Sequence, residues 1–460
     1  MTAASSTEKP INLLRGWPNP SLLPTSALLR ASQSALSDPS ISVPGLLYGP
    51  DPGFQPLREE ISKWLGDFYG GGESDADRIC ITGGASQNLA CVLQVYSDPL
   101  KTKVWMVAPC YFLACRIFSD AGLVMRAVEE GEGGIDLVAL EREMEKTERE
   151  GGSSKALKRS TPWSKIYSNI IYCVPTFSNP SGKTMSLSTR EALVKLARKY
   201  DALVVTDDVY DFLQFPTSPS TSSDPMTRAL LPRLVDIDRT LEPVPPPDSF
   251  GNAMSNGSFS KIAGPGVRTG WAEATPKFTY GLSQCGSSRS GGAPSQLAAT
   301  MMTELLKNGE LQTHIEKVLH PAYKRRYEIM VLAIQKHLIP LGIQLGEVSC
   351  EGRAVFGGYF IWLELPETAH AERVAEIAKR EHRLIVAPGH IFEVSDDASV
   401  PFAHSLRLCF SWEEESDLEE SIIRLARAVR DAVNNGARSS LAVEGGLDKQ
   451  GLKQGLGEFQ

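Results

Sequence analysis

Short apolar segments that each end in a polar turn are the feature that most constrains the fold of this chain. Such segments are predicted to be strands at 79–82, 104–108, 170–174 and 202–206. Strands that alternate with helical patterns favour a mostly parallel sheet flanked by helices. Ligands of such sheets bind beyond the carboxyl ends of the strands, so the residues that follow each strand are the candidate site residues.

The first predicted strands are followed by residues that suit a ligand. Strand 79–82 runs into two glycines, Ala85 and Ser86, ahead of a helical pattern. A strand, a glycine turn and a helix direct free backbone N–H groups at an anion, although such a turn also occurs without a ligand. Tyr111 follows strand 104–108 and is either a core aromatic or a stacking surface. Asn179 follows strand 170–174 and places an amide at the same edge.

Acidic and phenolic side chains follow the fourth predicted strand. Asp207 and Tyr210 lie three positions apart, close enough to face one ligand from a turn. A buried carboxylate is costly unless it is paired, so Asp207 is expected to have a partner.

The segment 257–268 supplies the reactive groups, and it reads Gly-Ser-Phe-Ser-Lys-Ile-Ala-Gly-Pro-Gly-Val-Arg. In extended backbone Ser258 and Ser260 project to the same side. Arg268 carries a planar fork of donors that suits phosphate. Lys261 can form a Schiff base with an aldehyde when its amine is neutral. These groups together predict pyridoxal 5′-phosphate, which has an aldehyde and a phosphate; the alternative is a solvated lysine in a serine-rich loop.

Composition narrows the class of protein. The chain has 460 residues, of which 42% are hydrophobic, and a net charge of −8, which indicates a globular protein of about two domains and disfavours a nucleic-acid partner. Its eight cysteines form no CxxC pair, so we expect free buried thiols and no metal site. The N-terminal residues are polar, and no apolar segment is long enough to span a membrane. Cytoplasmic localisation is therefore expected.

These segments, in this order, resemble the class I/II pyridoxal-phosphate-dependent aminotransferases of the aspartate aminotransferase fold, in the branch with the 2-aminoadipate, aromatic and kynurenine enzymes. The resemblance covers about residues 10–435. It implies fold type I: an α/β large domain with a mostly parallel seven-stranded sheet flanked by helices, plus a smaller α+β domain. It also implies a homodimer. The implied boundaries are 1–50 for an N-terminal arm that contributes to the small domain, 51–335 for the large cofactor-binding domain, 336–435 for the small domain and 436–460 for a disordered tail.

The resemblance also implies roles for individual residues. Lys261 matches the lysine that forms the imine with pyridoxal phosphate and moves the substrate proton. Asp207 matches the carboxylate that pairs with the pyridine nitrogen. Tyr210 and Asn179 match the donors to the phenolic oxygen of the cofactor, and Asn179 also borders the substrate. Arg407 matches the arginine that holds the substrate α-carboxylate.

Further matched residues are implied to enclose the cofactor. Tyr111 matches the ring that stacks on the pyridine, and Tyr48 matches the tyrosine that reaches the phosphate of the neighbouring subunit. The implied phosphate-binding residues are Ala85 through its backbone, Ser86, Ser258, Ser260 and Arg268. The turn reads Gly-Ala-Ser-Gln where relatives more often have Gly-Ser-Gln-Gln. The roles assigned to positions 85 and 86 could therefore be shifted by one residue. Val209 stands where many relatives have proline, and the segments 145–166 and 216–255 exceed the usual lengths.

The implied activity is ping-pong transfer of an amino group between an amino acid and a 2-oxo acid. The alternatives on the same fold are C–S β-elimination, ring closure as in aminocyclopropanecarboxylate synthases, and decarboxylation. A non-enzymatic sensor is a further alternative, which the presence of Lys261 and Asp207 disfavours. Arg15 is interpreted as a surface charge; if it lines the pocket with Trp17, large, aromatic or dicarboxylic substrates would fit.

Local patterns give further expectations about the fold. Ser188 and Glu191 have the spacing of a capping box at the start of a helix. The basic run 324–326 is interpreted as a solvated helix face. The Ser-, Pro- and Asp-rich segment 215–256 is expected to leave the core and to return at Lys261.

Overall fold

The computed structural model describes residues 9–70, 75–150, 156–159, 161–217, 226–289, 294–346 and 350–439. Its strands are β1 (Ile11–Asn12), β2 (Ile79–Thr82), β3 (Lys103–Ala108), β4 (Met125–Glu129), β5 (Asn169–Cys173), β6 (Ala202–Asp207), β7 (Phe215–Pro216), β8 (Ala253–Ser258), β9 (Gly270–Glu273), β10 (Gln344–Leu345), β11 (Val355–Phe356), β12 (Phe360–Glu364), β13 (Leu384–Ile385), β14 (Ala387–Pro388) and β15 (Ser405–Cys409).

The helices are α1 (Thr25–Ser37), α2 (Pro39–Gly45), α3 (Gln55–Tyr69), α4 (Ala85–Tyr96), α5 (Phe112–Asp120), α6 (Leu137–Glu150), α7 (Leu187–Lys199), α8 (Leu234–Thr240), α9 (Pro276–Ser283), α10 (Gly286–Arg289), α11 (Gln296–Lys307), α12 (Glu310–His314), α13 (His320–His337), α14 (Ala371–His382) and α15 (Glu415–Ser439), and a π-helical turn at Ile315–Leu319 precedes α13.

The main sheet has seven strands in the order β2-β9-β8-β6-β5-β3-β4. All neighbouring strands are parallel except β9, which is antiparallel to β2 and β8. The prediction of a mostly parallel seven-stranded sheet is confirmed. Because β6 and β8 are parallel neighbours, the residues that follow them meet at one edge, and Asp207 pairs in register with Asn256.

The central strands β3, β5 and β6 of the main sheet are mostly apolar and buried on both faces. In β3, Val104 and Met106 pack into one core cluster, whereas Trp105 and Val107 pack into another. Alternate residues of a strand point to opposite faces, so each strand contributes to both clusters. This pattern is typical of parallel sheets that are covered by helices on both sides.

A second sheet of four antiparallel strands follows in the order β10-β12-β15-β14. The N-terminal arm is tied to this part of the chain, because β1 pairs with β13 in parallel. Asn19 extends the connection by donating from Nδ2 to the carbonyl oxygen of Trp412 at 2.8 Å. Residues 11–19 of the arm thus pack against this part of the chain.

Some local predictions were wrong. Helix α7 begins at Leu187, and its cap is Ser186, whose hydroxyl accepts from the N–H of Thr189 at 3.2 Å, so Ser188 and Glu191 do not form the capping box. Arg326 is not on a solvated face: it is 2% exposed, and its guanidinium donates to the carbonyl oxygen of Phe410 at 3.3 Å. A single basic run on a helix spans more than one face, which explains the error.

Only part of the segment 215–256 leaves the core as expected: residues 241–250 are exposed or half-buried, whereas 233–238 are buried. Arg233 is 2% exposed, and it forms ion pairs with Asp236 at 2.9 Å and Glu273 at 2.8 Å. The free-energy cost of burying these charges is offset by their pairing. Amino-acid composition does not show which charges pair, so it did not predict that this part is buried. Residues 218–225 of this insertion lie outside the described residues, as do 151–155 and 160 of the insertion at 145–166. Helix α15 continues to Ser439, past the predicted start of the tail, and 440–460 are not described.

All eight cysteines are buried and free, as predicted from their spacing. Across the residues that the structure describes, no helix combines the length and apolar character that crossing a membrane requires.

Candidate active site

Lys261 ends the 3-10 turn Phe259–Lys261, which follows β8 at the carboxyl edge of the main sheet. Its Nζ donates to the carbonyl oxygen of Gly16 at 3.0 Å and lies 5.6 Å from the ring centroid of Tyr210 and 5.1 Å from that of Tyr359. Burial lowers the pKa of this amine to about 8, against an opposing effect of Asp207. The amine is therefore easier to deprotonate than that of an ordinary lysine.

Asp207 ends β6 and is held from two sides. Tyr172 donates from its hydroxyl to Oδ2 at 3.0 Å, and Asn256 donates from Nδ2 to Oδ1 at 3.3 Å. Burial raises the pKa of the carboxyl to about 7, and Lys261 acts in the opposite direction. Asp208 points to the other face, where it accepts from the hydroxyl of Thr206 at 2.6 Å. Of the two aspartates, only Asp207 thus faces the lysine.

Arg407 approaches from β15 in the second sheet and is 3% exposed. Its Nη1 donates to Oδ1 of Asn179 at 2.9 Å, and its Nη2 donates to the carbonyl oxygen of Leu14. The guanidinium stacks on the ring of Phe360 at 4.0 Å. Burial lowers the pKa of Arg407 to about 10. Among the described residues Nε has no hydrogen-bond partner, so this buried cation has donor capacity for an anion.

Aromatic side chains enclose the space between these groups. Tyr210 is 3% exposed, and burial raises the pKa of its hydroxyl well above the ordinary value. Burial also raises the pKa of Tyr111 to about 12, with Asp207 adding to the effect and Arg407 opposing it. Tyr359 donates from its hydroxyl to the carbonyl oxygen of Lys261 at 3.0 Å. The predicted residues Tyr111, Asn179, Tyr210 and Arg407 thus converge on the lysine and the aspartate.

The turn after β2 and the segment after Lys261 meet at the same edge. Nη2 of Arg268 donates to the carbonyl oxygen of Gly83 at 2.8 Å, and Nη1 lies 3.4 Å from the hydroxyl of Ser260. The hydroxyl of Ser258 donates to that of Ser260 at 2.9 Å. Gly84 leaves room for the arginine, because a Cβ there would come within 2.5 Å of Nη2. This cluster combines hydroxyls, a guanidinium and the first turn of α4, which begins at Ala85.

Comparison with known proteins identifies the family. The family model for aminotransferase class I and II matches residues 14–425, which is most of the chain. The chain belongs to the class I and II aminotransferases. An uncharacterized protein of Saccharomyces cerevisiae is 35% identical over 439 residues, with 90% of this chain and 95% of that protein covered. Aromatic-amino-acid aminotransferase 1 of Thermococcus litoralis is 27% identical, with 92% and 89% covered.

A solved structure agrees with these relatives. The kynurenine aminotransferase of Pyrococcus horikoshii is 26% identical to this chain, with a TM-score of 0.74 and 92% of each chain covered. The protein is thus a fold type I enzyme, a pyridoxal-phosphate-dependent transaminase that acts on an amino acid and a 2-oxo acid. The relatives do not favour the lyase and synthase alternatives.

The residues present in this aminotransferase fit pyridoxal phosphate. The buried amine of Lys261 suits its aldehyde, and the buried carboxylate of Asp207 suits a protonated ring nitrogen. Ser258, Ser260 and Arg268, beside the first turn of α4, form the donor set that a phosphate requires. Lys261 and Asp207 lie within electrostatic range of each other, as one cofactor held between them demands.

Some predicted residues lie apart from this cluster, and some residues in it were not predicted. Tyr48 is 91% exposed and does not join the site of its own chain. Ser86 is exposed at the start of α4. Tyr172, Asn256 and Tyr359 hold Asp207 and Lys261 but were missed. Asn256 pairs with Asp207 only through strand register, for which the sequence carries no local signal.

Proposed function

We propose that Lys261, Asp207 and Arg407 are the residues on which the transamination depends. The observation that carries the proposal is their convergence: the three come from the ends of β8 and β6 and from β15 in a different sheet, and Lys261 and Arg407 share contacts with the arm at Gly16 and Leu14. Burying an amine, a carboxylate and a guanidinium in one space costs free energy unless a ligand supplies charges that pair with them.

Bound pyridoxal phosphate supplies an aldehyde and a protonated pyridine ring that accepts the electron pair left at the substrate Cα. Asp207 would keep the ring nitrogen protonated, because an opposite charge within reach favours the charged form. Tyr172 and Asn256 fix the direction of its carboxylate through hydrogen bonds of 3.0 and 3.3 Å.

Lys261 would move the proton. A general base must be neutral near the working pH, and burial lowers the pKa of this amine to about 8. After the substrate amine has displaced Lys261, its Nζ is a free amine beside the substrate. Nζ can then take the proton from the substrate Cα and return it inside the active site. Tyr359 positions the lysine by its hydrogen bond of 3.0 Å to the backbone carbonyl.

Arg407 and Asn179 would orient the substrate. A guanidinium binds a carboxylate bidentately, which fixes the bond from Cα to hydrogen relative to the cofactor plane. Asn179 accepts from Nη1 of Arg407 at 2.9 Å and so sets the angle of the fork. Tyr210 and Asn179 are proposed to donate to the phenolic oxygen, and Tyr111 to stack on the ring.

The phosphate is proposed to bind the hydroxyls of Ser258 and Ser260, the guanidinium of Arg268 and the first N–H groups of α4. A helix N-terminus adds backbone donors and a partial positive charge. Positions 85 and 86 contribute through the backbone or the hydroxyl of Ser86.

Replacing Lys261 tests the proposal. We expect Lys261→Ala to lose the visible absorbance of the lysine-bound cofactor and to lower turnover at least 1000-fold, since it removes both the covalent link and the base, each of which is worth about 10²-fold or more. The matched control is Lys277→Ala, which removes a surface amine 3.2 Å from Asp248. Wild-type turnover in Lys261→Ala would refute the proposal.

We also propose the larger assembly in which this site works. The chain is expected to act as a homodimer, with Tyr48 reaching the phosphate of the neighbouring subunit.

The proposed division into domains at 51–335 and 336–435 is supported by the two sheets, because each sheet lies within one of these ranges. Limited proteolysis within 336–343 would test the division. The eight free cysteines support the cytoplasm, which cell fractionation would check.

A further inference from the structure

Two buried asparagines connect helix α4 to the carboxylate of Asp207. Asn88 on α4 and Asn256 on β8 are each 1% exposed. Nδ2 of Asn256 donates to Oδ1 of Asp207 at 3.3 Å and to the carbonyl oxygen of Ala85 at 3.0 Å. Nδ2 of Asn88 donates in turn to Oδ1 of Asn256 at 2.8 Å. A continuous chain of amides therefore runs from α4 to the carboxylate.

Strand register and helix periodicity bring these amides together. Asn256 pairs in register with Asp207, and residues paired in register on neighbouring strands project to the same face of a sheet. Ser258, two positions further along β8, projects to that face as well. Asn88 lies three positions after Ala85, so the two lie on the same side of α4. The asparagines thus meet where α4 packs on β8, beside the proposed cofactor site.

The acceptors at the end of the chain fix which way each amide points. The carbonyl of Ala85 and the ionised carboxylate of Asp207 only accept hydrogen bonds, so Asn256 must turn its NH2 group towards them. Its Oδ1 then faces Asn88, which must present its own NH2 group. Oδ1 of Asn88 is left buried with no hydrogen-bond partner among the described residues. Because such an orphaned acceptor costs free energy, Asn88 is oriented by the chain of amides and not by its own hydrogen bonding.

We propose that Asn88 is a positioning residue for the transamination, because it holds Asn256 in the one orientation that donates to Asp207. The proposal rests on the role proposed for Asp207, which is to pair with the ring nitrogen of pyridoxal phosphate. Burial disfavours the ionised carboxylate and raises the pKa of Asp207 to about 7. Donors to its oxygens favour the ionised form, which is the form that keeps the ring nitrogen protonated. With Asn256 turned over, the carboxylate would lose a donor and face an acceptor.

Two compounds that differ at one ring atom test the proposal. Cofactor-free protein is titrated with pyridoxal phosphate and with the analogue in which CH replaces the ring nitrogen, and the two Kd values are compared. Only pyridoxal phosphate can pair with Asp207, so wild type should bind it about 100-fold more tightly, as for a hydrogen bond between charged groups. Asn88→Asp keeps the shape of the side chain but replaces the donor by an acceptor. Asn256 must then turn over, and the preference should fall about tenfold.

The matched control makes the same change at a buried asparagine away from the site. Asn169 begins β5, at the amino end of the sheet, and its Nδ2 donates to the carbonyl oxygen of Tyr200 at 2.8 Å. Asn169→Asp should leave the preference unchanged within about twofold, since the two sites share no partner.

Leucine substitutions test whether Asn88 acts through Asn256. Leucine has nearly the shape of asparagine but no donor. Asn88→Leu should lower the preference about threefold, because Asn256 is then free to turn, and Asn256→Leu should lower it about tenfold. Adding Asn88→Leu to Asn256→Leu should change the preference by no more than about twofold, since residues of one network are not additive. These apolar variants decide the question even where Asn88→Asp does not fold.

The outcomes separate a positioning role from a structural one. Equal losses for both compounds in the Asn88 variants would overturn the proposal, because a residue that only supports α4 weakens both alike. Losses that multiply in the double leucine variant would overturn it too. A preference that every Asn88 variant keeps would remove Asn88 and leave the role of Asp207 intact. A wild type without any preference would instead overturn the role of Asp207, and the positioning role with it.

Discussion

Lys261 differs from a surface lysine in the free energy needed to keep its amine neutral. An exposed lysine titrates at about 10.4, whereas burial lowers the pKa of Lys261 to about 8. Only a neutral amine attacks an aldehyde, so this shift sets the pH at which the protein can capture its cofactor.

We predict that cofactor capture by the cofactor-free protein depends on pH in a specific way. Below pH 8 most Lys261 amines are protonated, so the capture rate should rise with pH and level off above about pH 8. Stopped-flow absorbance after addition of pyridoxal phosphate measures the rate. A rate that keeps rising tenfold per pH unit up to pH 10 would show that the amine is not shifted.

Single residues also show how much of the site could be read from the sequence. Lys261, Asp207 and Arg407 lie in recognisable motifs, and the structure brings them together. Tyr172 and Asn256 could not be found, because they contact Asp207 through the lateral order of β5, β6 and β8. That order depends on long-range pairing, which no local pattern records.

The start of a helix, like the position of a site residue, can depend on long-range contacts that the local sequence does not show. Ser186 and Ser188 are both of a residue type that caps helices, although only Ser188 has a Glu three positions later. Long-range contacts decide between them. The N–H of Ser186 donates to the carbonyl of Gly133 at 3.3 Å, and the N–H of Leu187 donates to Glu351 at 2.9 Å, which fixes the start of α7.

The cap predicts a stability difference between neighbouring serines. Ser186→Ala should lower the free energy of unfolding by about 1 kcal/mol, because the N–H of Thr189 loses its acceptor. Ser188→Ala is the matched control and should change it by less than 0.5 kcal/mol, a typical bound for a surface substitution. Urea denaturation at pH 7 compares the two variants. A larger loss of unfolding free energy in Ser188→Ala than in Ser186→Ala would instead show that Ser188 caps the helix, as the sequence pattern indicated.

At the scale of the whole molecule, the arm and the two sheets depend on one another. β1 pairs with β13 near the second sheet, whereas Gly16, a few residues on, contacts Lys261 beside the main sheet. Any movement between the sheets would therefore also move the arm, and with it the backbone carbonyl oxygens that accept from Lys261 and Arg407.

The segment after α2 supports a homodimer because it exposes apolar side chains together. Leu46 is 66% exposed, Leu47 64% and Tyr48 91%, and adjacent exposed apolar residues are typical of interaction sites. Replacing one of them by a charge would cost desolvation on assembly. We therefore expect Leu46→Asp to shift the sedimenting mass from two chains towards one.

The same substitution should weaken cofactor retention, although Leu46 lies outside the site of its own chain. The reason is that Tyr48 is proposed to bind the phosphate of the neighbouring subunit, so separated chains lose a donor worth about 1–3 kcal/mol, a 5- to 150-fold loss in affinity. Val138→Asp, at a side chain 79% exposed on α6, is the control and should change neither mass nor affinity. A monomeric Leu46→Asp protein that keeps full cofactor affinity would remove Tyr48 from the phosphate site while leaving the rest of that site in place.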